Sequence, residues 1–273
     1  ARSFLHAQLT SDVEHLPAGR ARYAGWCSAK GRLLATFLVV PAREGFLLQL
    51  ARDLAPAVAK RLAMYILRAK VRLSDISAQR VQYGLWGEGA EAGLARLGLA
   101  VPAGELDVVE ANGAMAVGIA PQRYLVLAPA TMRAQLAATS PAEAWMLAEI
   151  RAGRPLVVQA TQEQFVPQMV NLERAGGVDF QKGCYPGQEI VARSQYRGQL
   201  KRRMVRLRAP LPLRPAQELY SDDFPGRPSG TVVNAAGGEA LAVLQVATVE
   251  GGAAVRAAAD GRPLELLPLS YPS

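Results

Sequence analysis

Residues 182–189 read Lys-Gly-Cys-Tyr-Pro-Gly-Gln-Glu, the most informative run in this chain, with a thiol set between two glycines. Gly183 and Gly187 permit angles and close approaches that a side chain would forbid, and Pro186-Gly187 marks a turn. The residues that follow, 188–195, suit a short helix, which puts Cys184 just ahead of a helix N-terminus. There the free N–H groups and the Lys182 ammonium would both favour thiolate over thiol. The segment reads as a rigid loop presenting an activated thiol. The competing reading is a small buried hydrophobe, the commoner fate of a lone cysteine. Lys182, Gln188 and Glu189 crowded around an apolar site argue against burial, and a loop shaped by two glycines and a proline usually presents something.

At 273 residues the chain suits two or three compact units, and half of it is hydrophobic. Lys and Arg number 31 against 23 Asp and Glu, a net charge of +8 that favours anionic partners. The densest basic region holds Arg193, Arg197, Lys201, Arg202, Arg203, Arg206 and Arg208. It reads either as a nucleic-acid contact or as a receiver for an anionic small molecule. Neither zinc-finger spacing nor an RNA-recognition aromatic pattern supports the first. Two distant cysteines, Cys27 and Cys184, are no disulfide framework and point to a reducing, cytoplasmic compartment. They also cannot supply the roughly four thiolates of a conventional iron–sulfur site, so no metal site is expected. The strongest apolar run, 33–40, is far shorter than the roughly 18 residues of a spanning helix, and no membrane partner is expected.

Along the chain, residues 4–16 place Phe4, Leu5, Leu9 and Val13 at helical spacing. Residues 21–40 read as a hairpin turning at Ser28 to Gly31, with a further strand at 46–50 and Cys27 packed in a core. A helix is expected over 56–69, strands at 71–75, 80–87, 106–110, 115–119 and 123–128, and helices at 90–97 and 131–138. Gly87-Glu88-Gly89-Ala90-Glu91-Ala92, with Asp107 about 20 residues on, mimics a dinucleotide fingerprint. The repeated strand–helix–strand run that such a sheet needs is missing. Ser140, Pro141 and Glu143 spell a capping box for a helix ending at Gly153. Trp145 in that helix is either a flat platform for a heterocycle or the filler of a domain junction. Gln168 and Asn171 either hydrogen-bond a ligand edge or brace the loop backbone. Beyond Gly198, short strands separated by Pro- and Gly-rich turns read as a small β-barrel. The only histidines, His6 and His15, lie near the start, and no hydrolase elbow, zinc helix or phosphate loop is present.

K-G-C-Y-x-G-Q-E, preceded by P-Q-x-x-N-L at 167–172 and by G-G-V-D-F, resembles the signature of the YgfZ family. F-L-H-A-Q-L-T-S-D-V near the start, C-S-A-K-G-R at 27–32 and the L-P-L-S-Y ending extend the resemblance over essentially the whole chain. Ala7 and Ser28 depart from the glycine and aspartate usual in the family. The resemblance implies an α+β, three-domain fold like that of the aminomethyltransferase of the glycine cleavage system. In that layout residues 1–50 rejoin 133–197 as a folate-binding domain. Residues 51–132 form a ferredoxin-like insert and 198–273 the barrel.

The resemblance further implies a monomer that binds tetrahydrofolate or a derivative and supports assembly or repair of iron–sulfur clusters, with a link to tRNA modification. Its partners would be reduced folate and iron–sulfur client enzymes or cluster-assembly proteins. Stable nucleic-acid binding is not expected. The chemistry would fall to Cys184, Lys182 and Glu189, and folate contacts to Trp145, Gln168, Asn171, Tyr185, Gly187, Gln188 and Arg197. Two alternatives stand beside this: a true aminomethyltransferase, and a basic nucleic-acid-binding module without catalysis.

Overall fold

The computed structural model describes residues 1–136, 138–196, 200–258, 260–269 and 271, so Arg197 lies outside the described residues. The amino-terminal part is a three-stranded antiparallel sheet, β1 (Arg22–Cys27), β2 (Leu33–Ala42) and β3 (Gly45–Gln49), in that order. Every residue of β2 from Leu33 to Val40 is buried, because one face meets the first core and the other a neighbouring sheet. Helix α1 (Arg2–Gln8) is shorter than the expected 4–16. Leu9 leaves it to bridge Trp26, and Thr10 is then pinned between Gly25 and Gly177, its Oγ1 donating to the Gly177 carbonyl at 2.5 Å. Tertiary hydrogen bonds thus replace the continuation of the helix. Helix α2 (Ala55–Ala63) also stops early, and buries Val58 and Leu62 in the first core beside Leu9 and Trp26.

The middle region carries β4 (Arg80–Trp86), α3 (Ala90–Arg96), β5 (Val108–Ala111), β6 (Ala114–Ala120) and β7 (Arg123–Pro129). The strands form one antiparallel sheet in the order β4-β7-β6-β5, with Leu94 and Leu97 packing against it. Residues 71–75 are irregular rather than a strand, and the expected helix at 131–138 is a 3-10 turn over Ala130–Gln135. The Gly87-to-Ala92 segment does turn from strand to helix, but β4 pairs antiparallel with β7, so no parallel dinucleotide sheet exists around it. Leu38 and Val40 of β2 pack with Val117, Ile119 and Leu125 of β6 and β7, which joins this sheet to the first.

Helix α4 (Ala142–Arg151) follows, ending at Gly153 with φ +68° as the glycine stop predicts. The capping box does not form: Pro141 is the cap residue, and Glu143 instead accepts the Gly237 N–H at 2.9 Å. That glycine lies between β10 (Gly230–Ala236) and β11 (Glu239–Gln245) of the last region. There β8 (Arg202–Arg208), β9 (Glu218–Ser221), β12 (Val255–Arg256) and β13 (Glu265–Leu267) complete a nearly closed barrel in the order β12-β9-β10-β11-β8-β13. Its interior is filled by Leu207, Leu219, Val232 and Leu244, among others. A one-turn α6 (Val246–Glu250) follows β11, and α5 (Gln188–Tyr196) leads from the cysteine loop toward β8.

Candidate functional site

The cysteine loop is held by interlocking turns. Gly187 has φ +79°, and a Cβ there would overlap the Ser28 carbonyl and come within 2.7 Å of the Gly31 Cα. Gly31 in turn has φ +68° and abuts Ile190 of α5. The hairpin turn Cys27 to Arg32 and the loop 182–189, which are 150 residues apart, therefore fit together only because each carries glycine at the contact. Cys184 is exposed ahead of α5, as its place in the sequence predicts, whereas Cys27 is buried and its thiol is pushed up to about 12 by burial.

Lys182 does not reach outward beside the thiol. Only 8% exposed, its Nζ donates to the Leu9 carbonyl at 2.8 Å and to the His6 carbonyl, and it lies 4.9 Å from the Tyr185 ring centre. Burial pulls its pKa down to about 8, with Asp12, Asp179 and Cys184 acting in the opposite sense. The ammonium thus anchors the loop to the C-terminal end of α1 and acts on Cys184 only through space. Tyr185 is buried and its hydroxyl is raised, chiefly by burial. Glu189 points to solvent and pairs with Arg193 at 2.9 Å, one turn along α5, while Gln188 is half-buried. Gln168 is fully buried and donates to the Val191 carbonyl at 2.7 Å. Asn171, with φ +54°, donates to the Met204 carbonyl at 3.0 Å and to Tyr271 Oη at 2.9 Å. These two amides therefore tie the loop region to α5 and to the barrel. Each keeps one buried side-chain oxygen without a partner among the described residues. Both histidines meet Asp12, His6 at 3.0 Å and His15 at 2.8 Å, and the His6 ring also abuts Gly183.

Trp145 belongs elsewhere. It lines a cavity of about 840 Å³ between the first sheet, β4 and α4, whose walls include Tyr83, Trp86, Arg52, Glu149 and Arg154. None of residues 182–189 lines it. The Trp145 ring rests on Gly84, where a Cβ would overlap it, with the Arg123 guanidinium 4.3 Å from its centre and Trp86 6.0 Å away at 55°. Beneath it runs a charged network that sequence reasoning missed. Glu149 accepts from Arg123 and lies 3.4 Å from Arg154, which also donates to the Ile119 carbonyl at 2.6 Å and to Glu105 at 2.9 Å. Burial lowers the Arg123 pKa. For Arg154 burial also pulls down, but Tyr23, Glu149 and Glu105 outweigh it and the net shift is upward. Glu149 lies in the last turns of α4 and Arg154 just past its glycine stop, where charges look like the solvated end of a helix. Nothing short of the fold marks them as a cavity floor.

Four of the seven cations of the basic cluster meet carboxylates of the same chain. Arg193 pairs with Glu189, Arg203 with Glu173 at 2.5 Å, Arg206 with Glu239 at 3.8 Å and Arg208 with Glu265 at 2.8 Å. These carboxylates interrupt the stripe of cations that a nucleic-acid contact would use. Among the described residues, no helix is long and apolar enough to cross a membrane.

Residues 201–270 match the family profile described as CAF17, C-terminal beta-barrel domain. The chain is 33% identical over 294 residues to the tRNA-modifying protein YgfZ of Edwardsiella ictaluri, covering 99% of this chain and 87% of that protein. The like-named protein of Serratia proteamaculans is 30% identical over 247 residues, covering 85% and 74%. That of Vibrio vulnificus is 33% identical over 212 residues, covering 76% and 64%. Among solved structures, the glycine cleavage system aminomethyltransferase T from Bartonella henselae superposes with a TM-score of 0.75 at 19% identity, over 98% of this chain and 80% of that one. The last likeness establishes an aminomethyltransferase-like fold, and the relatives carry the assignment further: this chain belongs to the YgfZ family.

Proposed function

We propose that this protein binds a reduced folate and supports iron–sulfur enzymes, among them enzymes that modify tRNA, through the exposed thiol of Cys184. The observation that carries the folate part is the 840 Å³ cavity. Its volume lies within the roughly 300–1,000 Å³ of small-molecule sites. Its wall mixes Tyr83, Trp86 and Trp145, suited to a flat heterocycle, with Arg52, suited to a carboxylate. Glu149 offers a carboxylate to ring N–H donors. In this reading residues 1–50 and 133–197 supply most of the folate site and the cysteine loop, and the insert closes the cavity. A reduced folate would bring one-carbon chemistry. The chain's own part is to hold it, exclude water from its ring and keep Cys184 available on a rigid loop. The names of the relatives supply the tRNA-modification context.

Titration with tetrahydrofolate is expected to quench tryptophan fluorescence saturably, and Trp145→Phe to reduce the quench. Cys184→Ala is expected to leave fold and quench intact, since the side chain is exposed, while abolishing support of a cluster-dependent tRNA-modifying enzyme in a strain lacking the protein. Full complementation by that variant removes the thiol from the reading, and absence of a saturable quench removes the folate. The solved aminomethyltransferase favours a second reading, one-carbon transfer to tetrahydrofolate, on fold alone. Formation of methylene-tetrahydrofolate from a lipoylated carrier would establish it.

A further inference from the structure

A second cavity, of about 580 Å³, opens between β3, α2, the irregular segment after α2 and the edge of β4. It shares seven wall residues with the first, among them Phe37, Gln49, Arg52, Gln82 and Tyr83, so the two hollows adjoin across a common wall. The two differ in chemistry. The first holds Trp86, Trp145 and the charge-balanced floor around Glu149. The second has an aliphatic bed formed by Leu48, Val58, Leu62 and Val81, rimmed by Arg52, Arg72, Arg80 and Arg133. Asp75 is the one carboxylate among its lining residues. Its carboxyl is held below the usual range by hydrogen bonds to Ser77, with Arg52 adding to the effect, so it stays ionised. The rim therefore carries a formal charge of +3.

Arg72 and Arg133 are exposed and form no ion pair among the described residues. This differs from the arginines of the barrel strand β8, where Arg203, Arg206 and Arg208 meet carboxylates of the same chain. Cations on the rim of an aliphatic groove suit a ligand with a methylene-rich backbone and several negative charges.

We infer that this second hollow receives the tail of the ligand proposed above, a chain of γ-linked glutamates, so that the protein takes folate in its oligoglutamate form. The inference rests on the folate reading. Each added residue brings two methylenes to the aliphatic bed and one carboxylate to the arginine rim. Contacts at an exposed rim are weakened by counterions, since the Debye length shrinks to about 3 Å near 1 M salt. The preference therefore belongs to low ionic strength.

The test is a pair of titrations on the intact protein, one with tetrahydrofolate monoglutamate and one with its γ-linked oligoglutamate, followed by tryptophan fluorescence. Wild-type protein is expected to bind the longer form about tenfold more tightly at low salt, and the advantage is expected to shrink near 1 M salt. Arg72→Gln together with Arg133→Gln, both outside the first cavity, is expected to erase that advantage and leave monoglutamate affinity unchanged. Equal affinity of wild-type protein for the two forms overturns the inference while leaving the folate reading intact. So does an advantage that survives the double substitution. Binding of neither form overturns both.

Discussion

Lys182 shows how far a single residue departs from what its neighbours in the sequence suggest. Two positions from a cysteine, a lysine reads as an activating charge. In the folded chain its ammonium turns inward to the carbonyls of His6 and Leu9. Burial lowers its pKa from 10.5 to about 8. Below about pH 8 the amine is charged in folded and unfolded chains alike, and the desolvation cost is carried in full. Between about 8 and 10.5 the unfolded chain binds the extra proton, so stability contributed by this group rises with pH across that window. The difference in unfolding free energy between wild type and Lys182→Met should therefore move in favour of wild type from pH 8 to 10.5. Parallel curves for the two proteins would contradict the assignment. The glycine at 187 was legible for a simpler reason: its freedom is a property of the residue, whereas the direction of a lysine side chain depends on which carbonyls the fold brings near.

At the level of elements, α4 and β4 illustrate the same division. The start and glycine stop of α4 are local and could be read directly. The partner of Glu143 could not, because the Gly237 N–H that displaces the capping box comes from the barrel. The docking of α4 depends on Gly84, the one place on β4 where the Trp145 ring can lie against bare backbone. Gly84→Ala forces that ring to move and is expected to cost about 1–3 kcal/mol, as overpacking does. It should also change the near-ultraviolet circular dichroism of the tryptophans and weaken folate binding. A wild-type spectrum and midpoint in urea unfolding would show that the ring does not rest there. The two premature helix ends differ in cause: beyond Gln8 the Thr10 backbone bonds across the chain to Gly25 and Asp179, whereas beyond Ala63 the N–H groups of Met64, Tyr65 and Ile66 close only local three-residue turns.

For the whole molecule, the charged floor of the cavity joins regions distant in sequence. Glu149 of α4 binds Arg123 of β7, and Arg154 reaches Glu105 and the Ile119 carbonyl. Glu149→Gln leaves Arg123 buried without its countercharge. Uncompensated buried ions cost about 3–5 kcal/mol; the partial exposure of Glu149 and the other partners of Arg154 place the expected loss near the lower end, about 3 kcal/mol. Urea unfolding measures it, and a loss under about 1 kcal/mol would mean that the network adds little to the junction.

The residue order alone decided what is local or compositional: the tight turn around Cys184, the buried hairpin strands, the strand-rich carboxyl-terminal region, and the family signature in the 182–189 run. The fold decided which of these meet. It interlocked the hairpin turn with the cysteine loop, separated Trp145 from Cys184, turned Gln168 and Asn171 into struts, and paired four arginines of the basic cluster with carboxylates. Turn and strand preferences act over a few residues and are written in the residues themselves. Most of the burial, charge pairing and cavity walls arise between segments tens of residues apart or more and exist only once the chain has closed on itself.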